Sequence, residues 1–325
     1  MKRRDFLGLM GGVAAAAWTR PLFAQQAGRN YRLGVVTPSG RDNPPIAAFF
    51  DELRRAGFIE GQNLTVIAGG FNTSFDRNAE VAAAAVKAAP DAIISDANPA
   101  RIIKQLTRTI PTVIMGEDIL ADGLVDSLAR PGANVTGISI MSPELDGKRQ
   151  DLLLDAVPRA RHIAALVDTN TMRPTRLQQY KDAARSRGVE LSLIEAKTPQ
   201  DIEAAIERAK TIGAEALNVL ATPLFGSYQN RGIVFRQVAA MRMPAIYQWP
   251  EMAEDGGFMA YGPSFIDLYR QRARMVVKVL RGTQPADIPV EQPTRFDFVV
   301  NLKAAKAIGR DIPAGLVLRA DRLIE

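Results

Sequence analysis

The sequence predicts an α/β protein of two doubly wound parallel-sheet lobes joined by a three-segment hinge. Three observations carry that expectation. The chain has 325 residues, too many for one ordinary core and suited to two domains of about 100–150 residues each. From Tyr31 onward, short apolar runs alternate with amphipathic stretches, the pattern of parallel strands covered by helices on both faces. After residue 138 the same rhythm starts again.

In order, residues 31–37 read as a strand, 44–56 as a helix stopped by Gly57, and 64–68 as the next strand. Helix 76–89, strand 92–95, helix 99–107 and strand 112–115 complete a first lobe, closed by strand 135–138. Ser142 as N-cap with Pro143 at the first helical position opens a helix to residue 157. Strands 163–167, 191–195, 216–220 and 245–247 then alternate with helices 175–187, 199–212 (capped by Thr198) and 227–241. The second lobe is complete at that point, which leaves strand 258–261, helix 264–280, the Pro-rich stretch 282–293 and strand 296–301 to spare. One way to use them is to let the chain cross back to the first lobe and return. The expected division is residues 31–140 plus 259–287 for the first lobe and 141–258 plus 288–325 for the second, with hinges near 139–141, 256–258 and 288–293.

Residues 1–24 have the parts of an export signal: basic Lys2-Arg3-Arg4, an apolar stretch to Trp18, and a short polar exit ending at Ala24. Arg3-Arg4-Asp5-Phe6-Leu7 resembles the twin-arginine signal, with Lys2 and Gly8 departing from it, so the Sec route stays open. Lys2, Arg3, Arg4 and Arg20 against Asp5 account for half of the formal charge of +6. The remaining basic residues alternate with acidic ones as solvated helix faces do, which argues against a nucleic-acid partner. No apolar run reaches the roughly 18 residues that a membrane span needs. The sequence contains no cysteine, which excludes disulfides, thiolate metal sites and a lipid-anchored N-terminal Cys. An export signal without an anchor points to a freely diffusing, monomeric protein of the periplasm.

The sequence contains the segments 129–137 (ARPGANVTG), 144–149 (ELDGKR), 253–263 (AEDGGFMAYGP), 285–294 (PADIPVEQPT) and 301–307 (NLKAAKA). Together they resemble the ABC transporter substrate-binding proteins associated with tryptophan and tyrosine permeases. The resemblance extends over nearly all of the chain after the signal. It implies a type I periplasmic-binding fold, a small-molecule ligand held between the lobes and a membrane permease as partner, with no cofactor. An acidic Asp96, where the family usually has a small neutral residue, departs from that pattern and counts against an aromatic amino acid as ligand.

Ligands of open α/β sheets sit beyond the carboxyl ends of the strands. That places Thr37, Ser39, Asp96, Asn98, Glu117 and Asp118 of the first lobe, and Asp168, Asn170, Thr222 and Trp249 of the second, at the expected cleft, with Tyr247 and Tyr261 as further apolar walls. Ser39 and Asn98, each beside a helix start, suit a ligand carboxylate, and the acidic residues suit an ammonium. The same residue types also serve as plain turn and cap residues. Together they favour an amino acid or an amino-acid-like compound.

An enzyme has little to work with here. His162 is the single histidine and opens a strand, while neither a Gly-x-Gly-x-x-Gly after the first strand nor a Walker A loop is present. A carboxylate-dependent hydrolase stays open, as does a ligand-sensing module without transport. Export is directly checkable. The mature protein is expected to begin at Gln25, and mass spectrometry of exported protein that still carries Met1–Ala24 contradicts the signal reading.

Overall fold

The computed structural model describes residues 28–172 and 174–325, so the expected export signal lies outside the described residues. The first sheet is all parallel and has the order β2-β1-β3-β4-β5, built from β1 (Tyr31–Val36), β2 (Leu64–Val66), β3 (Ala92–Asp96), β4 (Thr112–Gly116) and β5 (Val135–Ser139). Its inner strands are buried along nearly their whole length, because helices α1 (Pro44–Arg55), α2 (Asn78–Lys87) and α3 (Ala97–Leu106) cover them. Helix α1 shows why the chain is helical there. Pro44 and Pro45 occupy first-turn positions where a missing N–H costs nothing, and Ile46, Phe49 and Leu53 recur on one buried face.

The chain then leaves the first lobe through Ile140 and Met141, the latter in a left-handed conformation with φ 61°. Beyond it come α4 (Ser142–Ala156), β6 (His162–Asp168), α5 (Pro174–Ser186), β7 (Glu190–Ala196), α6 (Asp201–Thr211) and β8 (Leu217–Val219). Next are α7 (Pro223–Gly226), α8 (Arg231–Ala240), β9 (Ala245–Tyr247), α9 (Pro250–Glu254) and β10 (Met259–Gly262). Helix α10 (Phe265–Leu280) is next, then β11 (Asp297–Asn301), α11 (Leu302–Ala307), α12 (Ala314–Val317) and β12 (Arg322–Ile324). The second sheet has the order β12-β11-β10-β9-β8-β6-β7.

Helix α10 packs on α1 and on β3, β4 and β5 of the first lobe, although it comes after the second lobe in sequence. Residues 288–291 extend that return: the Glu291 N–H donates to the Gly137 carbonyl at 2.9 Å and the Ser139 N–H to the Glu291 carbonyl at 3.0 Å. The chain therefore crosses between lobes three times. Three expected boundaries are corrected, the first being that residues 288–291, given to the second lobe, pair with β5 of the first. Strand β10, given to the first lobe, lies in the second sheet between β9 and β11. The segment 256–258, given as a hinge, is the turn from α9 into β10, where the Gly257 N–H closes on the Met252 carbonyl at 2.9 Å. The second crossing instead falls at Pro263-Ser264, where the Ser264 hydroxyl caps α10 by accepting from the Asp267 N–H. The second sheet is also not purely parallel. Strand β10 ends at the hinge edge and β11 starts there on the chain's return, so the pair must run antiparallel.

Two smaller differences are local. Asp201, rather than Thr198, organises the start of α6, its carboxylate accepting the N–H groups of Lys197 and Thr198. The expected helix 227–241 begins only at Arg231 as α8, after a turn at residues 227–230, and the short α7 before that turn was not expected. Beyond residue 301 the structure adds α11, α12 and β12, for which the sequence offers only short, weakly patterned segments.

The segment 144–149 has an architectural role. Asp146 and Arg149 are both fully buried, and the Asp146 carboxylate accepts from Arg149, from Arg176 and from the Tyr180 hydroxyl. Burial alone would raise the Asp146 carboxyl, but the two guanidiniums and the phenol outweigh it and hold it below the usual carboxylate range. Arg149 Nε donates to the Tyr261 carbonyl at 2.7 Å, tying α4 to the end of β10. Asp146→Ala leaves two guanidiniums without their shared counter-ion, and a loss of about 3–5 kcal/mol is expected in urea denaturation. A loss of under about 1 kcal/mol would show that the cluster does not hold the second lobe together.

Candidate functional site

The carboxyl ends of β3 and β4 in one lobe and of β6, β8 and β9 in the other face a single cavity of about 370 Å³. Eight of the twelve expected site and wall residues line it. Ser39, Asp96, Asn98 and Glu117 approach from the first lobe, and Asp168, Asn170, Thr222 and Trp249 from the second. The other four do not. Thr37 is buried beneath the wall, its hydroxyl donating to Asp96 Oδ2 at 3.0 Å and accepting from the Ser39 N–H at 3.3 Å. Asp118 closes a turn by accepting from the Ala121 N–H at 3.0 Å. Tyr261 lies on β10 with its ring 6.2 Å from that of Phe296, away from the cavity. Tyr247, expected as a wall, is buried edge-on against Phe235 at 5.2 Å.

Asp96 touches the cavity but its charge is already engaged. Arg272, fully buried on α10, places Nη1 at 3.5 Å from Asp96 Oδ1, while its Nη2 donates to the Val113 carbonyl at 3.1 Å and to the Ser95 carbonyl. Burial raises the Asp96 carboxyl, and the Arg272 charge and the Thr37 hydroxyl only partly offset it. The natural partner of this carboxylate is thus a protein guanidinium that arrives from the far side of the second crossing. On the other lobe, Asp168 accepts from the Asn170 N–H at 2.9 Å and the Thr171 hydroxyl at 3.3 Å, a satisfied turn at the end of β6. Glu117 differs from both. Burial pushes its carboxyl up to about 7, with the Arg176 charge pulling the other way, and it forms no ion pair among the described residues.

Of the aromatic side of the cavity, sequence reasoning found only Trp249. Phe265 and Tyr269, in the first two turns of α10, line it, and Phe265 stacks on Trp249 with ring centroids 4.6 Å apart and planes 19° apart. Their spacing marked them as the core face of a helix, and only the packing of α10 at the hinge turns that face toward the cleft. Phe75, 55% exposed, lines the cavity from the loop before α2. Across its mouth the Gln229 side-chain amide donates to Asn72 Oδ1 at 2.8 Å, a contact between lobes. Three buried polar atoms of residues on the second-lobe wall have no hydrogen-bond partner among the described residues: Thr222 Oγ1, Ser227 Oγ and Gln248 Oε1. Gly226 permits this crowding, since a Cβ there would sit 1.8 Å from Gln248 Nε2.

Two doubly wound lobes, three crossings and a cavity walled by both lobes define a hinged small-molecule receptor of type I periplasmic-binding architecture. The sequence pattern of the ABC transporter substrate binding protein family matches residues 46–324, and the chain belongs to that family. It is similar to the tyrosine-binding protein of Clostridioides difficile (strain R20291), 23% identical over 264 residues, which is 80% of this chain and 75% of the relative. Among solved structures, a conserved domain protein from Vibrio cholerae matches with a TM-score of 0.79 and 21% identity, over 91% of this chain and 99% of that one. An ABC domain in complex with L-Trp from Streptococcus pneumonia matches with a TM-score of 0.76 and 21% identity, over 90% and 99% of the two chains.

The engaged state of Asp96 reverses the simplest reading of its charge. Asp96→Asn strands Arg272 and is expected to lower stability by about 2–3 kcal/mol, read as a shift in the denaturation midpoint. A variant as stable as the parent but weakened in ligand binding would show that Asp96 serves the ligand instead.

Proposed function

We propose that this chain is an exported, non-catalytic receptor that captures a small amino-acid-like ligand in the periplasm and presents it to the membrane permease of an ABC importer. The observation that carries this reading is the cavity of about 370 Å³ walled by both lobes and bordered by the crossings. A ligand that touches both walls stabilises the closed form by its differential affinity for closed over open, and a permease can then tell loaded receptor from empty. Family membership supports the transport role, and the tyrosine-binding relative and the L-Trp-bound neighbour support an amino-acid-like ligand. No helix among the described residues is long and apolar enough to cross a membrane, in keeping with a permease as a separate partner.

The site chemistry supports binding over catalysis. His162, the single histidine, begins β6 at the edge remote from the cleft, where its Nε2 lies 2.9 Å from the Ser192 hydroxyl.

Trp249 is the one tryptophan of residues 25–325 and stands in the cavity wall, so it reports on ligand directly. A screen of amino acids, their amines and aromatic acids is expected to find a compound that changes Trp249 fluorescence and raises thermal stability. The gain is RT ln(1 + [L]/Kd), about 2.7 kcal/mol at a hundredfold excess over Kd. Turnover of a screened compound, or no stabilising compound at all, contradicts the receptor reading.

A further inference from the structure

The mouth of the cavity is bridged by protein groups alone. The Gln229 side-chain amide of the second lobe donates to Asn72 Oδ1 of the first at 2.8 Å. Both partners stand on loops that are fixed from beneath. In the first lobe the Asn72 N–H donates to the Ser39 carbonyl at 3.2 Å, the Thr73 N–H to the Thr37 carbonyl at 3.0 Å and the Thr37 N–H to the Gly70 carbonyl at 2.9 Å. These bonds fasten loop 70–73 to the end of β1. Asn72 itself sits at φ 54°, a left-handed conformation that Asn tolerates better than most residues. In the second lobe the turn 227–230 is closed by the Asn230 N–H on the Ser227 carbonyl at 3.1 Å and by Asn230 Nδ2 on the Leu224 carbonyl at 2.9 Å. Groups presented from fixed backbone give up only side-chain freedom when they meet.

Gly40 completes the contact. It is buried, and a Cβ there would lie 3.0 Å from Asn72 Oδ1, 3.1 Å from Gln229 Nε2 and 3.2 Å from Asn43 Oδ1, so the bonded pair packs down on a bare Cα. Its φ lies outside the left-handed region, so the glycine answers to this close approach rather than to backbone strain. At the other end of the cavity a second contact joins the lobes. Trp249, 5% exposed, stacks on Phe265 of α10, and the Glu251 carboxylate of α9 accepts from the Ser264 hydroxyl at 2.7 Å across the second crossing. Mouth and floor are thus both joined by protein groups.

We propose that Gln229, Asn72 and Gly40 form a latch that holds the lobes closed over the cavity without ligand, and that ligand enters when this latch opens. This rests on the hinged-receptor reading above and adds how its closed form is populated. A ligand then strengthens a closure that the protein already makes, which lowers the differential affinity it must supply. The bond is neutral and exposed, so its share is modest: breaking it is expected to lower the ratio of closed to open molecules about threefold.

The test is a spin-label distance measurement between the lobes, which a chain without cysteine makes simple. Ala79→Cys and Ala204→Cys place labels at exposed positions in the first turns of α2 and α6, helices that begin beside cavity-lining Asn78 and Pro199. The mature protein is unfolded and refolded to strip any ligand, and the short distance of the closed form is expected to dominate. Gln229→Ala and Asn72→Gly, the latter chosen because glycine accepts the left-handed φ, are each expected to shift the ratio about threefold toward a longer distance. The double variant is expected to go no further than either alone. Gly40→Ala, with both bonding side chains in place, is expected to shift in the same direction while thermal unfolding stays cooperative. A parent dominated by the longer distance overturns the latch and leaves the receptor reading standing. So does any of the three variants that leaves the distances unchanged, and so do additive shifts in the double variant. One distance that no variant and no compound of the ligand screen alters overturns both.

Discussion

Each lobe presents its binding edge around a fully buried guanidinium that must find carbonyl oxygens and a carboxylate to be tolerated at all. Arg272 meets the carbonyls of Ser95 and Val113 at the ends of β3 and β4, with Asp96 as counter-ion. Arg149 meets the Tyr261 carbonyl at the end of β10, with Asp146 as counter-ion. In both cases the arginine comes from a helix that the chain enters just after a crossing: α4 comes after the first and α10 after the second. Arg272 therefore ties the second crossing to strand ends that line the cavity, and Arg149 ties the first crossing to the end of β10.

The topology results from where the chain is allowed to cross. Strands β5 and β10 both end at the hinge edge, and the third crossing delivers β11 to the same edge, which forces an antiparallel pair, the one such pair among the described residues. The same geometry brings the start of α10 beside Trp249, so the Trp249–Phe265 stack joins groups on either side of the second crossing. Cavity, hinge and aromatic floor share one small region. This is the arrangement by which a ligand's contact energy is converted into a population of closed molecules.

The strands and most helices were legible because buried parallel strands are short apolar runs and the covering helices carry one apolar face, as Leu33–Val36 and Ile46, Phe49, Leu53 illustrate. The return of α10 to the first lobe was legible too, from a second lobe with elements to spare. The crossing point was not: Gly256-Gly257 punctuates the chain as a hinge does, but Pro263-Ser264 makes the turn. For the site, loop position beyond strand ends located eight residues on the cavity. Pairing was invisible, because Asp96 and Arg272 meet only through the fold, and Asp96 therefore looked like a free ligand carboxylate. Phe265 and Tyr269 were hidden for the opposite reason, since a helical apolar stripe reads as core whichever cavity it borders. Asp118 and Thr37 show the limit of residue type as a guide: each is a polar residue at a strand end whose hydrogen bonds are spent on the local backbone or on Asp96.

Receptor function here requires that a small ligand be held between the lobes by groups from both. A crystal structure of the mature protein purified in its folded state with its bound ligand tests that requirement most directly. Density is expected in the inter-lobe cavity, in contact with Glu117 on one side and with Thr222 and Trp249 on the other. Density confined to the wall of a single lobe, or a ligand bound elsewhere while the cleft holds only water, would contradict it.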